Sequence, residues 1–380
     1  MQREPKFDDI RPYYEEEIPA AMHRIADNGA FPLLASYVFP DRDVEQVREM
    51  MKTFTTVDEF QKIVMYRVNE EVIKKSTDGF VCEGFENLEK GKQYLFVSNH
   101  RDIMLDASLL QNALVDHGLE TSEITFGANL MSNQLIVDIG KSNKMFRVER
   151  GGNPRSFYFS SLHLSDYIRY TIKEKKQSVW IAQRNGRTKD GNDATDQGVI
   201  KMFGMSRPED KVEALAELNI VPVSVSYEWE PCDVLKVLEL YETSQRAYTK
   251  KPGEDLNSIL TGIISPKGRV HFQICEPLRR DELEALGEFT SSRFNREVAA
   301  LIDRRIRMAY RLFPNNYIAH DLRYGQTRHK AQYTPEQRQA FIDHCLALAK
   351  YDTYDQDAMR ELVLGIYSNP VDNKKLYNEL

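Results

Sequence analysis

The chain lacks several features that would assign it to a class at once. Its four cysteines, Cys82, Cys232, Cys275 and Cys345, lie far apart and form no Cys-x-x-Cys pair. That spacing indicates buried or free thiols in a reducing compartment rather than a disulfide framework or a zinc site. No run approaches the roughly 20 apolar residues needed to cross a bilayer, and the charged start, MQREPKFDDIRPYYEEE, is not the pattern of a signal peptide. We therefore expect a cytoplasmic protein.

The chain also lacks a surplus of positive charge. It carries 58 acidic and 51 basic residues, a net charge of −7, and this balance argues against general nucleic-acid binding. Hydrophobic residues make up 41% and charged residues 29% of its 380 positions, which is typical of a globular protein with a sizeable core.

The hydrophobic pattern divides the chain into three parts. Residues 1–75 are predicted to form a helical N-terminal region, because apolar residues recur every three or four positions. Residues 76–312 are predicted to form an α/β domain, a mostly parallel sheet flanked by helices. Residues 313–380 are predicted to be a helical C-terminal tail.

The prediction for residues 76–312 rests on short apolar segments that alternate with helical ones. The first buried strand is predicted at Leu95, Phe96 and Val97. Further strands are predicted over 124–129, 145–148, 178–182, 220–227 and 269–277. Helices are predicted over 103–116 and 155–175, and 231–268 is predicted to be irregular or only partly helical.

The most informative stretch runs from Val97 to Asp106, Val-Ser-Asn-His-Arg-Asp-Ile-Met-Leu-Asp. An apolar strand leads straight into it, so His100 is predicted to stand where a buried strand ends and a helix begins, the edge at which α/β folds bind ligands. A neutral histidine oriented by a carboxylate is a general base near neutral pH. Either Asp106 or Asp102 could be that carboxylate, and the first backbone N–H groups of the helix could stabilise an oxyanion.

This stretch resembles the first motif of the glycerolipid acyltransferases, the family that acylates glycerol-3-phosphate and lysophosphatidic acid. The motif is Asn-His, four residues and then Asp. Asn99 and His100 match, whereas Leu105 occupies the position of the family's Asp and the acid comes one residue later, at Asp106. The preceding segment, GFENLEKGKQYLFVSNH, is similar to the family's approach to its histidine.

Three further blocks follow in the family's order. FRVER (146–150) is similar to the second motif, with Arg150 at its essential Arg. Asn-Gly-Arg-Thr-Lys (185–189) resembles the family's Glu-Gly-Thr-Arg-Ser: the glycine matches, Asn185 replaces Glu, and Arg and Thr are transposed. VPVSV (221–225) resembles the proline-containing strand motif. Taken with the suitability of arginine for phosphate, these blocks predict substrate-binding roles for Asn99, Arg101, Arg150, Gly186, Arg187 and Lys189.

The resemblance implies an enzyme of lipid synthesis, an O-acyltransferase. It would move a fatty acyl group from acyl-CoA or acyl carrier protein to a hydroxyl of a glycerol phosphate or lysophospholipid, with no cofactor and no metal. His100 would take the proton of the attacking hydroxyl, so the chain would need no nucleophile of its own. Peripheral contact with the inner face of a membrane is compatible with this function.

Other functions stay open at the level of sequence. Asn99, His100, Asp102 and Asp106 could ligate a divalent ion in a metal-dependent phosphoester hydrolase, although no second His/Asp cluster completes such a site. The displaced acid and Asn185 also fit a degenerate, non-catalytic relative that acts as a binding protein. The acceptor of an acyl group could be an amine instead of a hydroxyl.

Overall fold

The structure, a computed structural model, describes residues 4–131, 133–149, 151–246, 248–251 and 253–378. Within these residues a seven-stranded sheet forms the centre of the molecule. Its strands in chain order are β1 (Phe80–Glu83), β2 (Leu95–Ser98), β3 (Glu123–Gly127), β4 (Met145–Val148), β5 (Val179–Ala182), β6 (Ile220–Tyr227) and β7 (Val270–Ile274).

The sheet has the order β1-β7-β6-β2-β5-β3-β4, and most neighbours run parallel. β2 lies between β6 and β5 and is parallel to both, β3 is parallel to β5 and β4, and only the β6–β7 pair is antiparallel. All four residues of β2 are buried, as expected for a short apolar run in a central parallel strand. The predicted fold class, α/β with a mostly parallel sheet, is confirmed.

Helices form the N-terminal region, as the periodicity of residues 1–75 predicts. They are α1 (Ile18–Ala26), α2 (Phe31–Val38), α3 (Val44–Lys52), α4 (Val57–Glu59), a π-helical stretch (Phe60–Met65) and α5 (Tyr66–Ser76). Their apolar faces pack on one another in a hydrophobic cluster of their own, which includes Ile18, Phe31 and Phe60.

Nine helices follow the strands of the sheet or flank it in the described residues. They are α6 (Leu105–Asp116), α7 (Gln134–Ser142), α8 (Pro154–Lys173), α9 (Gln197–Gly204), α10 (Lys211–Ala216), α11 (Asp233–Gln245), α12 (Glu254–Ile264), α13 (Arg280–Ala285) and α14 (Ser291–Ala309). They cover both faces: Leu95 and Val97 of β2 join the cluster under α8, α9 and α14, while Phe96 joins the one under α6. Both faces of the sheet are therefore closed from water.

The tail is also helical, with α15 (Pro314–Arg323), α16 (Pro335–Leu346) and α17 (Gln356–Asn378). Among the described residues, no helix combines the length and the apolar character that a bilayer crossing requires.

The prediction that 231–268 is irregular is wrong for α11, whereas α12 agrees with the partly helical alternative for the second part of this segment. The reason is that α11 is buried on more than one side. Val237 packs in the cluster formed with α15 and α17, while Lys236, one residue earlier, is buried as well. A helix whose polar residue is enclosed lacks the one-sided apolar stripe from which helices are recognised.

Candidate active site

The end of β2 delivers His100 to the carboxyl edge of the sheet, where the sequence predicts it. Two hydrogen bonds tie the end of this strand to the segment that follows β5. The carbonyl of Ser98 accepts the N–H of Gln183 at 2.8 Å, and the carbonyl of His100 accepts the N–H of Thr188 at 2.7 Å. The His100 side chain is buried, with its ring 5.7 Å from that of Trp180 in an edge-on contact. The backbone on both sides of the histidine is therefore fixed to the loop that follows β5.

Asp106, in the first turn of α6, is the carboxylate that orients His100. Its Oδ2 lies 2.9 Å from His100 Nδ1 and also accepts the N–H groups of Arg101, at 2.5 Å, and Asp102, at 2.9 Å. With the proton on Nδ1, the ring donates to this carboxylate, and no described residue hydrogen-bonds to Nε2. Nε2 is thus the nitrogen that can accept a proton from a substrate.

Tyr227, the last residue of β6, is a third member of this hydrogen-bonded group. Its hydroxyl donates to Asp106 Oδ1 at 2.8 Å, and burial, with the Asp106 carboxylate adding to it, raises the pKa of Tyr227 well above its ordinary value. The phenol therefore keeps its proton at neutral pH and remains a donor. Sequence reasoning missed this residue, because the sequence predicted a mostly parallel sheet but not that β6 lies beside β2.

Asp102 serves the helix rather than the histidine. Its Oδ1 accepts the N–H groups of Met104 and Leu105, each at 2.9 Å, at the start of α6, and it makes no hydrogen bond with His100. Burial, and then the nearby Asp106 carboxylate, raises the pKa of Asp102. α12 packs against it closely, since a Cβ on Gly262 would stand 2.1 Å from Asp102 Oδ2.

The predicted oxyanion donors are largely occupied. The N–H groups of Arg101 and Asp102 bond to Asp106, and those of Met104 and Leu105 bond to Asp102. These four groups satisfy the carboxylates of the turn and are not available to a substrate oxygen. The prediction, which concerned the start of the 103–116 helix, is therefore wrong for Met104 and Leu105.

Two of the predicted binding residues are enclosed in the protein. Asn99 bridges to β6, where its Nδ2 donates to the carbonyl of Val225 at 2.9 Å and its Oδ1 accepts the N–H of the same residue at 2.7 Å. Arg101 is fully buried and bonds to Asp193 at 2.6 Å and Glu230 at 3.0 Å. Burial opposes a charged guanidinium, but the two carboxylates outweigh it, so the pKa of Arg101 is raised. These contacts favour positioning roles over the predicted substrate contact.

The loop after β5 brings Arg187 towards the histidine. Gly186 has a φ of +76°, a conformation that suits glycine. The Nη1 atom of Arg187 is buried and has no hydrogen-bond partner among the described residues, while its charge acts on Asp102 and on Cys232. Lys189 pairs with Glu239 on α11. Arg150 lies outside the described residues.

An apolar cavity of about 440 Å³ opens at the carboxyl ends of β3, β4 and β5. Ala182, which lines it, is paired in register with Ser98 of β2, whereas His100, Asp106 and Arg187 are not among the lining residues. Asn185 also lines it. The apolar walls come from strand ends and from α8 and α9, and include Val148, Leu164, Ile181, Val199, Met202 and Met205.

One group of possible metal ligands exists in the described residues, and it lies in the tail. His320, Asp321 and His329 place ligand atoms within 4.8 Å of one another. Asp321 already accepts the N–H of His329 and the hydroxyl of Tyr333, and Lys375 lies 2.7 Å from His320 Nε2. Beside His100, both oxygens of Asp106 are occupied by hydrogen-bond donors, so no observation there favours the alternative of a metal-dependent hydrolase.

Comparison with known proteins agrees with this geometry. Residues 79–226 match the family model described as Acyltransferase, and no curated protein matches the chain at a significant level. Among solved structures, the 1-acyl-sn-glycerophosphate (LPA) acyltransferase PlsC from Thermotoga maritima is similar at 14% identity, over 75% of this chain and 93% of that one, with a TM-score of 0.36. A likeness that loose supports no argument about function.

The match covers the part of the chain that holds the candidate site. Residues 79–226, from β1 through all of β6 except Tyr227, match the acyltransferase family and contain the His100–Asp106 pair. The predicted kinship with acyltransferases, and the prediction of an acyl-group transferase, are confirmed at that level.

Proposed function

We propose that the protein transfers a fatty acyl group from acyl-CoA or acyl carrier protein to a hydroxyl of a glycerol phosphate or lysophospholipid. The observation that carries this proposal is the His100–Asp106 pair, whose Nε2 has no partner among the described residues. An apolar cavity lies at the carboxyl ends of the neighbouring strands. Such a transfer requires a general base, a cavity for the acyl chain and a cation for the acceptor phosphate, and Arg187 is the cation proposed here.

The steps follow from the direction in which the ring points. The acceptor oxygen attacks the thioester carbonyl carbon while Nε2 takes its proton, and Asp106 stabilises the imidazolium that forms. The tetrahedral intermediate then collapses, the carbon–sulfur bond breaks, and the imidazolium returns the proton to the leaving thiolate. An ester and a free thiol result, and no protein nucleophile takes part.

The choice of acceptor is tested with a panel. Purified protein is incubated with labelled palmitoyl-CoA or palmitoyl-acyl carrier protein and with glycerol-3-phosphate, lysophosphatidic acid, a lyso-aminolipid or no acceptor. We expect an ester product with a phosphate-bearing hydroxyl acceptor and one preferred donor. A product only with the amine would replace the proposed acceptor, and no product with any pair would contradict the proposed function.

Arg187 is the residue proposed to bind the acceptor phosphate, because a buried guanidinium nitrogen without a partner can form charge-assisted bonds with phosphate oxygens. We expect Arg187→Ala to raise the KM for a phosphate-bearing acceptor by about ten-fold, the loss of one such bond. The KM for a monoacylglycerol, which has no phosphate, should barely change. Arg279→Ala, at an exposed arginine paired with Asp281, is the control, and an equal effect on both acceptors would contradict the assignment.

The cavity is proposed to hold the acyl chain. Ser161 of α8 lines it, so Ser161→Trp should shorten the space available to the acyl chain. We expect the rate with palmitoyl donors to fall by about ten-fold relative to octanoyl donors. Each buried methylene contributes about 0.8 kcal/mol, so excluding about two methylenes has this effect. Competition between the two donors in one reaction measures the ratio. An unchanged ratio, with Ser244→Trp on exposed surface as control, would exclude the cavity as the acyl site.

A peripheral position at a membrane is part of the proposal. Phe157 and Tyr158 line the cavity and are 47% and 52% exposed, and aromatic side chains are enriched at membrane surfaces. Flotation with phospholipid vesicles tests it: we expect wild-type protein to float with the vesicles and Phe157→Ser/Tyr158→Ser to remain below. Equal flotation of both proteins, or of neither, would contradict it.

A further inference from the structure

Beyond the end of the acyltransferase match, α11 places a buried lysine against the backbone next to His100. Lys236 is 1% exposed, and its ammonium donates to the carbonyl oxygen of Arg101 at 2.7 Å and pairs with Glu230 Oε1 at 2.5 Å. The other carboxylate oxygen of Glu230 accepts from the guanidinium of Arg101 at 3.0 Å. One lysine thus holds both the carbonyl of Arg101 and the acid that binds its side chain.

Arg101 is consequently held by its backbone N–H, its carbonyl and both terminal nitrogens of its guanidinium, while its Nε has no partner among the described residues. Its N–H donates to Asp106 Oδ2, the oxygen that contacts His100 Nδ1. Its carbonyl is held by Lys236, and its guanidinium by Glu230 and Asp193. Any rotation of the peptide after Arg101 would break the Lys236 bond and displace the residue that anchors the orienting carboxylate.

The C-terminal helix α17 contacts both Glu230 and the start of α11. The hydroxyl of Tyr367 donates to Asp233, the first residue of α11, at 2.7 Å and accepts the N–H of Glu230 at 3.0 Å. α17 also touches the loop after β5: Asn369 donates to the carbonyl of Asp190 at 2.7 Å, and a Cβ on Gly191 would stand 2.0 Å from the carbonyl oxygen of Ile366. Gly191, at φ +76°, permits that approach.

We propose that Lys236 is a positioning residue for the His100–Asp106 pair and that α17 is part of the active-site framework. The inference rests on the proposed acyl transfer. Two cations, Arg101 and Lys236, face two acids, Asp193 and Glu230, in a buried group without net charge. Buried ion pairs contribute little net stability because desolvation offsets their attraction, so the function of this group is to fix geometry.

The test must remove the hydrogen bonds of Lys236 without leaving an unbalanced charge in the buried group. Lys236→Met alone leaves Glu230 with a surplus negative charge, so the decisive variant is Lys236→Met/Glu230→Gln, which removes one charge of each sign and keeps an acceptor for Arg101. We expect kcat to fall at least ten-fold in this double variant while KM stays within about two-fold. Thr243→Ala, on the exposed side of α11, is the control, and wild-type kcat in the double variant would overturn the proposal.

A second readout does not depend on activity. In wild-type protein, the proton on His100 Nδ1 that bonds to Asp106 should give a downfield proton resonance, identified by its loss in His100→Gln. We expect that resonance to shift or disappear in the double variant, and an unmoved resonance would overturn the proposal even if the wild-type protein transferred no acyl group. Absence of transfer by the wild-type protein would instead contradict the proposed function.

Discussion

His100→Ala is expected to lower kcat/KM for acyl transfer by about 10³-fold, the range in which a positioned general base contributes. The loss follows because Nε2 is the proton acceptor proposed for the attacking hydroxyl and no described residue bonds to it. The measurement is the initial rate of ester formation at saturating donor, with far-ultraviolet circular dichroism to show that the fold survives.

Two controls make this result interpretable. His100→Gln retains a polar side chain of similar size but cannot act as a base, so it should be as slow as the alanine variant. His163→Ala, at a half-buried histidine of α8 paired with Asp9, should transfer at the wild-type rate. Turnover by either His100 variant within ten-fold of wild type would remove His100 from the mechanism.

Asp106→Asn is expected to lower kcat by about 10²- to 10³-fold with little change in KM. An amide oxygen in the place of Oδ2 could still accept the backbone N–H groups of Arg101 and Asp102, so the turn should survive. The negative charge that stabilises the imidazolium would be gone. Steady-state kinetics on both substrates would show the change in kcat without a change in KM.

Asp102→Asn is the matched comparison, since this acid lies in the same turn but does not contact the histidine. Its activity should stay within a few-fold of wild type. Because burial and Asp106 raise the pKa of Asp102, the wild-type protein loses stability as pH rises from the ordinary carboxyl range through that raised pKa. Asp102→Asn should therefore unfold at a higher temperature than wild type at pH 7, by a margin that shrinks on acidification. Equal loss of kcat in both variants would contradict the assignment of Asp106 as the orienting acid.

The sequence allowed the His100–Asp106 pair to be located because the two residues are close along the chain. His100 and Asp106 are six residues apart, and an apolar strand followed by a helix start sets both positions. The sequence did not show whether Asp106 or Asp102 orients His100, because that depends on which side of the first turn of α6 faces the imidazole ring. Only coordinates show that Asp102 turns its oxygen to the N–H groups of Met104 and Leu105.

The residues that sequence reasoning missed are far from His100 along the chain. Tyr227 is 121 residues from Asp106, and Lys236 is 135 residues from Arg101. Contacts at such separations depend on the order of strands in the sheet and on the way α11 returns over its edge, which local patterns do not encode. Lys236 carried the further disadvantage that a lysine in a helix is usually solvated, so nothing in its neighbourhood distinguished it.

The most direct test of the account is whether the acyl group passes straight from thioester to acceptor. Wild-type protein is mixed with palmitoyl-CoA or palmitoyl-acyl carrier protein, with and without the phosphate-bearing acceptor that the panel selects. Free thiol, ester product and the intact mass of the protein are followed together. We predict that thiol and ester appear in equal amounts, only when the acceptor is present, and that the mass of the protein does not change. A palmitoylated protein, or thiol release that does not need the acceptor, would contradict direct transfer with His100 as the base.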